Sequence, residues 1–505
     1  MPTPMRAPAR QRQSLSNATL SRLGTDVHVP SYDRAAITPA IVHIGVGGFH
    51  RAHQAVYLDE LAERGVSTDW GVIGVALRHR AMKDALEPQD GLFTVVERGD
   101  EQDVARVVGS IAAVLFAPEE PDAVLDALSD PRTRIVTLTI TGNGYHLDAE
   151  TGRLADDEDI RTDLANPTRP CTAVGYLVQA LDRRRRAGTP AFTVLSCDNV
   201  PDNGTAACAA VVGFAQARDP DLAAWIEAEV TFPSTMVDRI TPETGADAYE
   251  LVGRSFGLDD RWPVVTESFS QWIVEDRFCN GRPPLEEVGV QFVDDVEPYE
   301  RMKKRLLNAS HSALGYVGYL LGHRDTAGAM TDPLMRAYIE RLMEDEIAPL
   351  LPPVPGVDLD EYRATLLTRF SNEKVGDQLE RLCGRGSTKV PAYLLPSIVE
   401  ARQQGRPHEL LNLAVAAWVR YLRGVDLDGR EISINDARLD ELQPMAIEGG
   451  DDPAPFMANS RVFGRLADDP MLVRSVARIL TALDRDGLRP TVEAYLRADP
   501  GSLAA

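Results

Sequence analysis

Apolar, largely β-branched runs alternate with amphipathic stretches through the first half of the chain. Residues 52–65 and 122–129 carry apolar side chains at helical spacing between these runs. Continuous apolar strands separated by helices are typical of a parallel sheet that is covered on both faces. The pattern therefore predicts a Rossmann-type, doubly wound α/β domain over residues 29–228. Its predicted strands are 41–46, 72–76, 134–140 and 191–197.

The character of the chain changes after about residue 300, where long amphipathic helical patterns follow one another. These patterns predict a mainly α-helical substrate or catalytic domain over residues 229–505. Strand-like pieces within 265–295 could rejoin the first sheet. Residues 1–28 are expected to form a flexible leader, because their prolines interrupt the amphipathic helix that a transit peptide would need.

Composition narrows the class of protein. The chain is 44% hydrophobic and 26% charged, which is the composition of a globular protein. Its net charge of −23 disfavours a nucleic-acid partner, because phosphate binding needs a cationic surface. Five scattered cysteines without a C-x-x-C pair indicate reduced thiols, and no apolar stretch is long enough to span a membrane. We expect a cytoplasmic protein without a membrane or nucleic-acid partner.

The first predicted strand ends in the sequence GVGGFHRAHQ. Glycines at a strand-to-helix turn let the backbone approach a pyrophosphate, which the amides at the helix start then bind. A small residue at Ala52 lets the helix pack closely. The sequence therefore predicts a nucleotide site, against the alternative of a structural turn. The predicted cofactor-binding residues of this turn are Ile44, Gly45, Val46, Gly47, Gly48, Phe49, His50, Arg51 and Ala52.

The segment after the second strand lacks the acid that usually binds the ribose hydroxyls of NAD. It carries Arg78 and Arg80 instead, and its first acid is Asp84. Arginine in this place can accept the 2′-phosphate of NADP. We predict at least detectable use of NADP, and two exposed loop arginines are the alternative.

Lys303, Asn308 and His311 fall on one predicted helix. At about 100° per residue, Asn308 lies about 140° and His311 about 80° from Lys303. Lys304 is at i, i+4 and i+7 with the same two residues, so spacing alone slightly favours Lys304. A lysine buried beside an amide and an imidazole can act as a general base. A solvated lysine with a core histidine is the alternative.

Asn199 follows the strand that ends at Cys197. It is therefore predicted at the carboxyl edge of the sheet, where open α/β sheets bind their ligands. Its amide can donate to an alkoxide, or it can cap the next helix.

With these motifs, the chain resembles the polyol-specific long-chain dehydrogenase/reductase family from about residue 29 to about residue 488. The glycine turn matches the family's cofactor turn, and FPSTMVDRITP from Phe232 matches its diagnostic segment. The spacing of Lys303, Asn308 and His311 matches the family's K-x4-N-x2-H. One departure is Gly142, which stands where the family usually has Glu and puts a cofactor-side contact in doubt.

The resemblance implies a role for each matching residue. Lys303 would take the proton from the substrate hydroxyl, Asn199 and Asn308 would stabilise the alkoxide, and no metal would be needed. His311 would orient the substrate oxygen, and Glu300 would connect the lysine to solvent. The residues implied to bind the remaining hydroxyls are Asp238, Arg381 and Lys389.

The resemblance also implies an activity, namely NAD(P)-dependent interconversion of D-mannitol and D-fructose by a monomer. NAD is the family's usual cofactor. An alternative within the family is a hexuronate reductase that acts on fructuronate or tagaturonate. An alternative of another class is a nucleotide-binding sensor without catalysis, which would have no use for a proton acceptor at Lys303.

Overall fold

The computed structural model describes residues 12–99, 102–148, 151–467 and 469–498. The chain divides into two compact units, the first ending at Glu297 and the second beginning at Pro298. In chain order the strands of the described residues are β1 (Gln13–Ser14), β2 (Val27–His28), β3 (Pro39–Ile44), β4 (Gly71–Ala76), β5 (Phe93–Arg98), β6 (Asp103–Val108), β7 (Ile111–Phe116), β8 (Ile135–Leu138), β9 (Thr193–Ser196), β10 (Thr235–Asp238), β11 (Leu258–Asp259), β12 (Val264–Glu267), β13 (Gln271–Glu275) and β14 (Gln291–Val293).

The first unit also contains helices, most of which connect the strands. They are α1 (Gly48–Ala52), α2 (Gln54–Glu63), α3 (Ala81–Leu86), α4 (Pro121–Ser129), α5 (Glu158–Ala165), α6 (Ala173–Ala187), α7 (Asn203–Arg218), α8 (Pro220–Glu229) and α9 (Ala246–Ser255). Two of them, α5 and α8, begin at an aspartate whose side chain accepts a backbone N–H, namely Asp157 and Asp219.

A five-stranded parallel sheet in the order β7-β4-β3-β8-β9 forms the centre of the first unit. Val42 lies beside Ile73 on one side and beside Val136 on the other. Alternate strand residues face opposite ways, so that Val42 and Val136 pack on one layer of helices and Ile41 and Ile135 on the other. The predicted doubly wound sheet is confirmed, because both faces of its strands are buried.

The unit boundary lies later than the predicted change at residues 228–229. Residues 229–297 pack on the first unit because β12 pairs with β5, and Trp272 and Val274 join its core. The pieces within 265–295 do not rejoin the first sheet. Instead, β12 joins the sheet β12-β5-β6-β2, and β13 lies between β10 and β14 in a separate sheet.

The predicted leader is only partly described, because residues 1–11 lie outside the described ranges. Residues 12–28 do not form a flexible leader. Strand β1 pairs with β11 and β2 pairs with β6. Leu15 and Val27 are buried in a small core, which holds this segment on the first unit.

The second unit is helical, as predicted. Its helices are α10 (Glu297–Lys303), α11 (Ala309–Leu320), α12 (Thr326–Thr331), α13 (Pro333–Arg341), α14 (Leu359–Phe370), α15 (Leu379–Cys383), α16 (Gly386–Tyr393), α17 (Leu395–Gln403), α18 (Glu409–Tyr421), α19 (Leu439–Gly449), α20 (Ala454–Met457), α21 (Ser460–Phe463), α22 (Pro470–Asp486) and α23 (Leu488–Arg497). Helix α18 is buried along its whole length and forms the centre of this unit. Across the ranges that the structure describes, no helix combines the length and hydropathy needed to cross a membrane.

Two buried histidines give the first unit an acid-sensitive core. His43 on β3 stacks on His50 with ring centroids 3.4 Å apart. Burial lowers the pKa of His43 to about 3 and lowers that of His50 well below its usual value. The unfolded chain therefore binds more protons than the folded chain below pH 6.5, and stability is lost as the pH falls from there toward 3.

We predict that the free energy of unfolding falls by up to about 1.4 kcal/mol per pH unit for each of these histidines below pH 6.5. His50→Phe keeps a stacked ring that cannot be protonated, so it should flatten this slope. Urea unfolding between pH 7 and pH 4 measures the effect. The exposed His79→Gln is the control and should leave the slope unchanged. An equal slope in His50→Phe and the parent would contradict the prediction.

Candidate active site

The carboxyl edge of the five-stranded sheet carries the glycine turn, the loop with Arg78 and Arg80, and the loop with Asn199. From the central β3 the chain proceeds to β4 and β7 on one side, and later to β8 and β9 on the other. The switch point lies between β3 and β8, where doubly wound sheets form a crevice. The glycine turn follows β3, and the loop Thr139–Tyr145 follows β8.

The glycine turn needs glycine for its conformation and leaves space above it. Gly45 has φ +102°, and a Cβ there would collide with the carbonyl group of Thr139. Thr139 Oγ1 donates to the Gly45 carbonyl oxygen at 2.7 Å, which fixes the turn against β8. A Cβ on Gly47 would find its nearest atom only at 3.7 Å. The backbone at Gly47 is therefore accessible to a ligand such as a pyrophosphate.

Only part of the predicted cofactor segment is open in this way. Gly45, Gly47, Gly48 and Phe49 are partly exposed, whereas Val46 is buried. Four further side chains assigned to cofactor contact lie inside the protein, namely Ile44, His50, Arg51 and Ala52. The guanidinium of Arg51 donates to the Trp262 carbonyl oxygen and lies over the Phe93 ring. These four side chains support the turn from within and do not line it.

The two arginines after β4 have different surroundings. Both are exposed, but Arg80 forms ion pairs with Asp84 and Glu119. Glu119 follows β7, which is the neighbour of β4 in the sheet, so the two loops meet at the same edge. An acid from the next loop thus lies beside Arg80. Sequence reasoning missed Glu119, because it lies far from Arg80 along the chain.

Asn199 lies in the loop between β9 and α7. The N-cap residue of α7 is Asp202, three residues after Asn199. Asp238 is the last residue of β10 and is buried. Both residues belong to the first unit. Their roles toward a substrate remain predictions.

In the second unit, the predicted catalytic helix is interrupted by a π-helical segment. Helix α10 ends at Lys303, residues Lys304–Asn308 form the π segment, and α11 begins at Ala309. The N–H of Ala309 donates to the carbonyl of Lys304, five residues before it. Residues five apart lie on the same face of such a widened turn, whereas in a regular helix they lie about 140° apart. Lys303 and Asn308 therefore share a face.

The structure also distinguishes the two adjacent lysines. Lys303 is buried, with 6% of its surface exposed. Lys304 is less buried and forms an ion pair with Glu300, one helical turn earlier. Spacing at regular helical angles slightly favoured Lys304, and the π segment changes the helical phase on which that preference rested. What distinguishes the two lysines is therefore the burial of Lys303 and the ion pair of Lys304.

Asn308 and His311 present polar atoms that no described residue satisfies. Asn308 Nδ2 and His311 Nε2 are both buried without a hydrogen-bond partner in the described ranges. Burial, and then nearby cations, hold the pKa of His311 well below its usual value. The imidazole is therefore neutral near pH 7 and can donate or accept one hydrogen bond. These cations are Arg381, Arg369, Lys389 and Lys303.

Arg381 and Lys389 lie on the helices α15 and α16, which pack near α11. Tyr316 on α11 donates to the Cys383 carbonyl at 3.0 Å, which fixes the end of α15. The guanidinium of Arg381 binds both carboxylate oxygens of Asp377, at 2.6 and 2.5 Å. Lys389 Nζ donates to the carbonyls of Arg381 and Leu382. Burial, followed by Arg381, lowers the pKa of Lys389 to about 8.

Sequence reasoning missed two further residues around His311. Phe370 lies against the imidazole, with ring centroids 4.5 Å apart. The neighbouring Arg369 is buried and is one of the cations that lower the pKa of His311. Both end α14, about sixty residues from His311 along the chain, so no local spacing connects them.

A glycine turn at the switch point of a parallel sheet, with a separate helical unit carrying a buried lysine, defines a Rossmann-type oxidoreductase. The chain belongs to the mannitol dehydrogenase family. The family's Rossmann domain model matches residues 39–287, and its C-terminal domain model matches residues 295–484. The gap between the two matched ranges covers residues 288–294 and ends just before the unit boundary at Glu297.

Named relatives and solved structures agree with this membership. The chain is 45% identical to a mannitol 2-dehydrogenase of Phaeosphaeria nodorum, over 97% of this chain and 87% of that protein. It is 44% identical to one of Aspergillus clavatus, over 93% and 96%. The structure of Pseudomonas fluorescens mannitol 2-dehydrogenase with NAD and D-mannitol matches with a TM-score of 0.90, 44% identity, and coverage of 96% and 100%. A D-sorbitol dehydrogenase matches with a TM-score of 0.86, 36% identity, and coverage of 95% and 100%.

The departure at Gly142 is not imposed by packing. A Cβ on Gly142 would meet only Val200 Cγ2 at 3.7 Å, which is ordinary contact. We therefore predict that Gly142→Glu folds with an unchanged melting temperature. Gly144→Ala is the matched control, since its Cβ would lie 2.9 Å from Ile140 Cβ and should lower the melting temperature. A clear loss of stability in Gly142→Glu would show that this loop requires glycine there.

Proposed function

We propose that the protein is an NAD-dependent mannitol 2-dehydrogenase that interconverts D-mannitol and D-fructose, with Lys303 as the general base. The observation that carries the proposal is that buried Lys303, which directly precedes the π segment, lies on the side of the helix that carries buried Asn308. The names of its relatives and the NAD and D-mannitol complex of the Pseudomonas fluorescens enzyme support the choice of substrate and cofactor.

The residues at the carboxyl edge of the first sheet fit NAD. The open backbone at Gly47 and Gly48 would hold the pyrophosphate, since no side chain there blocks its approach. Bound NAD would supply the acceptor for the hydride that leaves the substrate carbon. The partly exposed Phe49 lies beside this turn.

The second unit would supply the proton chemistry. Lys303 Nζ takes the proton from the substrate hydroxyl. Asn308 Nδ2, which lacks a partner among the described residues, donates to the oxygen as negative charge develops on it. The neutral His311 orients that oxygen through Nε2. The amide of Asn199 is assigned the same role as Asn308, and Glu300 the passage of the proton to solvent.

Lys303→Ala should lower kcat for mannitol oxidation by about 10² to 10⁴-fold, which is the usual contribution of a general base. Binding of NAD, followed by protein fluorescence, should be unchanged. Lys304→Gln is the control. Its kcat should stay within about 10-fold of the parent value, because the substitution removes an ion pair between partly exposed groups. Near-normal turnover in Lys303→Ala would overturn the assignment.

The alternative of a hexuronate reductase relies on the same two cations that would bind the hydroxyls of a neutral polyol, so these cations do not discriminate between the two activities. A substrate carboxylate would need Arg381 or Lys389. Arg381 is already held by Asp377 through two hydrogen bonds, and Lys389 donates to two backbone carbonyls. Rates with mannitol, arabinitol, sorbitol and fructuronate compare the two activities directly. If the protein binds NAD but turns over none of these substrates, the alternative of a non-catalytic nucleotide-binding sensor would be favoured.

The ion pairs of Arg80 bear on the choice between NAD and NADP. Glu119 and Asp84 engage the guanidinium that could bind a 2′-phosphate, and Glu119 would also repel that phosphate. NAD should therefore be preferred, with NADP used at a lower but detectable rate.

Glu119→Gln should raise kcat/KM for NADP by a few-fold, because exposed ion pairs are weak, and should leave kcat/KM for NAD nearly unchanged. Glu87→Gln is the control, since Glu87 is exposed and pairs with Lys83 instead. Steady-state kinetics with both cofactors measure the difference. An NADP rate indistinguishable from the blank in both proteins would contradict a role for Arg80.

We also propose that the enzyme acts in the cytoplasm as a monomer without a nucleic-acid partner. The scattered cysteines support the cytoplasmic location. The net charge of −23 supports the lack of a nucleic-acid partner. The monomer rests on the family resemblance. Sedimentation of the purified protein would measure its oligomeric state.

A further inference from the structure

A buried carboxylate directly precedes Asn199. Asp198 is 8% exposed and accepts three hydrogen bonds. They come from the N–H of Ile140 at 3.0 Å, the N–H of Thr141 at 2.7 Å, and the hydroxyl of Tyr145 at 2.7 Å. Burial raises the pKa of Asp198, and these three bonds oppose that change. The loop after β9 is thereby bonded to the loop after β8.

The loop after β8 contains a strained residue at the point where Asp198 binds it. Thr141 has φ 64° and ψ 164°, a conformation that is almost confined to glycine. A threonine persists there only if its surroundings hold it. Asp198 Oδ1, which accepts the Thr141 N–H, is a direct restraint on this backbone.

A second set of bonds connects the same segment to the strand that carries Asp238. Asn203 Nδ2 donates to the carbonyls of Asp198 and Thr235, both at 3.0 Å. The N–H of Thr235 donates back to Asn203 Oδ1 at 2.9 Å. Thr235 begins β10, and Asp238 ends it. The backbone that precedes Asn199 is thus fixed to both neighbouring segments.

We propose that Asp198 is a positioning residue that holds Thr141 in its strained conformation and so fixes the orientation of the Asn199 amide for catalysis. The inference rests on the proposed function, since Asn199 acts only if a substrate oxygen is bound there. Asp198 does not contact the reacting atoms in this role. It acts through two loops that its carboxylate bonds together.

Asp198→Asn keeps the size of the side chain but places an NH₂ group against a backbone N–H donor. We expect kcat for polyol oxidation to fall by roughly 10²-fold, as small misplacements of catalytic groups do, while KM for NAD stays nearly unchanged. Thr141→Gly removes the conformational cost at residue 141, so Asp198→Asn/Thr141→Gly should regain about 10-fold of the lost kcat. If Asp198→Asn does not fold, Tyr145→Phe, which removes one donor to Asp198, serves in its place in combination with Thr141→Gly.

Asp163→Asn is the matched control. Asp163 is also buried and accepts two consecutive N–H groups, of Cys171 and Thr172, together with the Thr172 hydroxyl. Asp163→Asn should lower the melting temperature about as much as Asp198→Asn does but should leave kcat unchanged.

Two results would overturn the proposal. One is a loss of kcat in Asp198→Asn no greater than in Asp163→Asn. The other is a loss that Thr141→Gly does not relieve, which would remove the strained loop from the explanation. The measurements use the polyol that the parent enzyme oxidises fastest. If the parent enzyme oxidises none of the polyols, the proposed function itself is refuted, so the two failures are distinguishable.

Discussion

The chemistry proposed for the second unit depends on one backbone hydrogen bond, from the N–H of Ala309 to the carbonyl of Lys304. This bond closes a turn over five residues instead of four, which brings Lys303 toward the face of Asn308. Lys304 pairs with Glu300, one helical turn earlier. A regular helix would separate Lys303 and Asn308 by about 140°. π turns are frequent at functional sites, and here the turn brings the lysine and the asparagine of the K-x4-N spacing to one side of the helix.

The parallel sheet could be predicted from the sequence because its information is local. The two strands at the switch point, β3 and β8, are short runs rich in β-branched residues. Because both faces of these strands are buried, polar residues do not interrupt the apolar run. The unit boundary could not be predicted in this way. Val264 pairs with Val95, far away along the chain, and the two-residue strands β1 and β2 have no periodicity to detect. Long-range pairing decides these elements.

The candidate site shows the same division between features that local sequence determines and features that depend on long-range contacts. The glycine turn and the K-x4-N-x2-H spacing are visible in the sequence. The angles between Lys303, Lys304 and Asn308 could not be predicted, because a regular 100° step does not apply across the π segment. The partner of Arg80 is Glu119, which only the adjacency of β4 and β7 brings near it. Arg369 and Phe370 reach His311 from another helix. Charge partners and ring contacts of this kind depend on the assembled fold.

The most direct measurement of the central claim is a double-mutant cycle of Lys303→Ala and Asn308→Ala on kcat for D-mannitol oxidation. If the π turn directs both side chains to one oxygen, they act as a unit and their effects are strongly non-additive. Asn308→Ala should then cost about 10²-fold or more in the parent enzyme and far less when Lys303 is already alanine. An equal cost in both backgrounds would contradict the account.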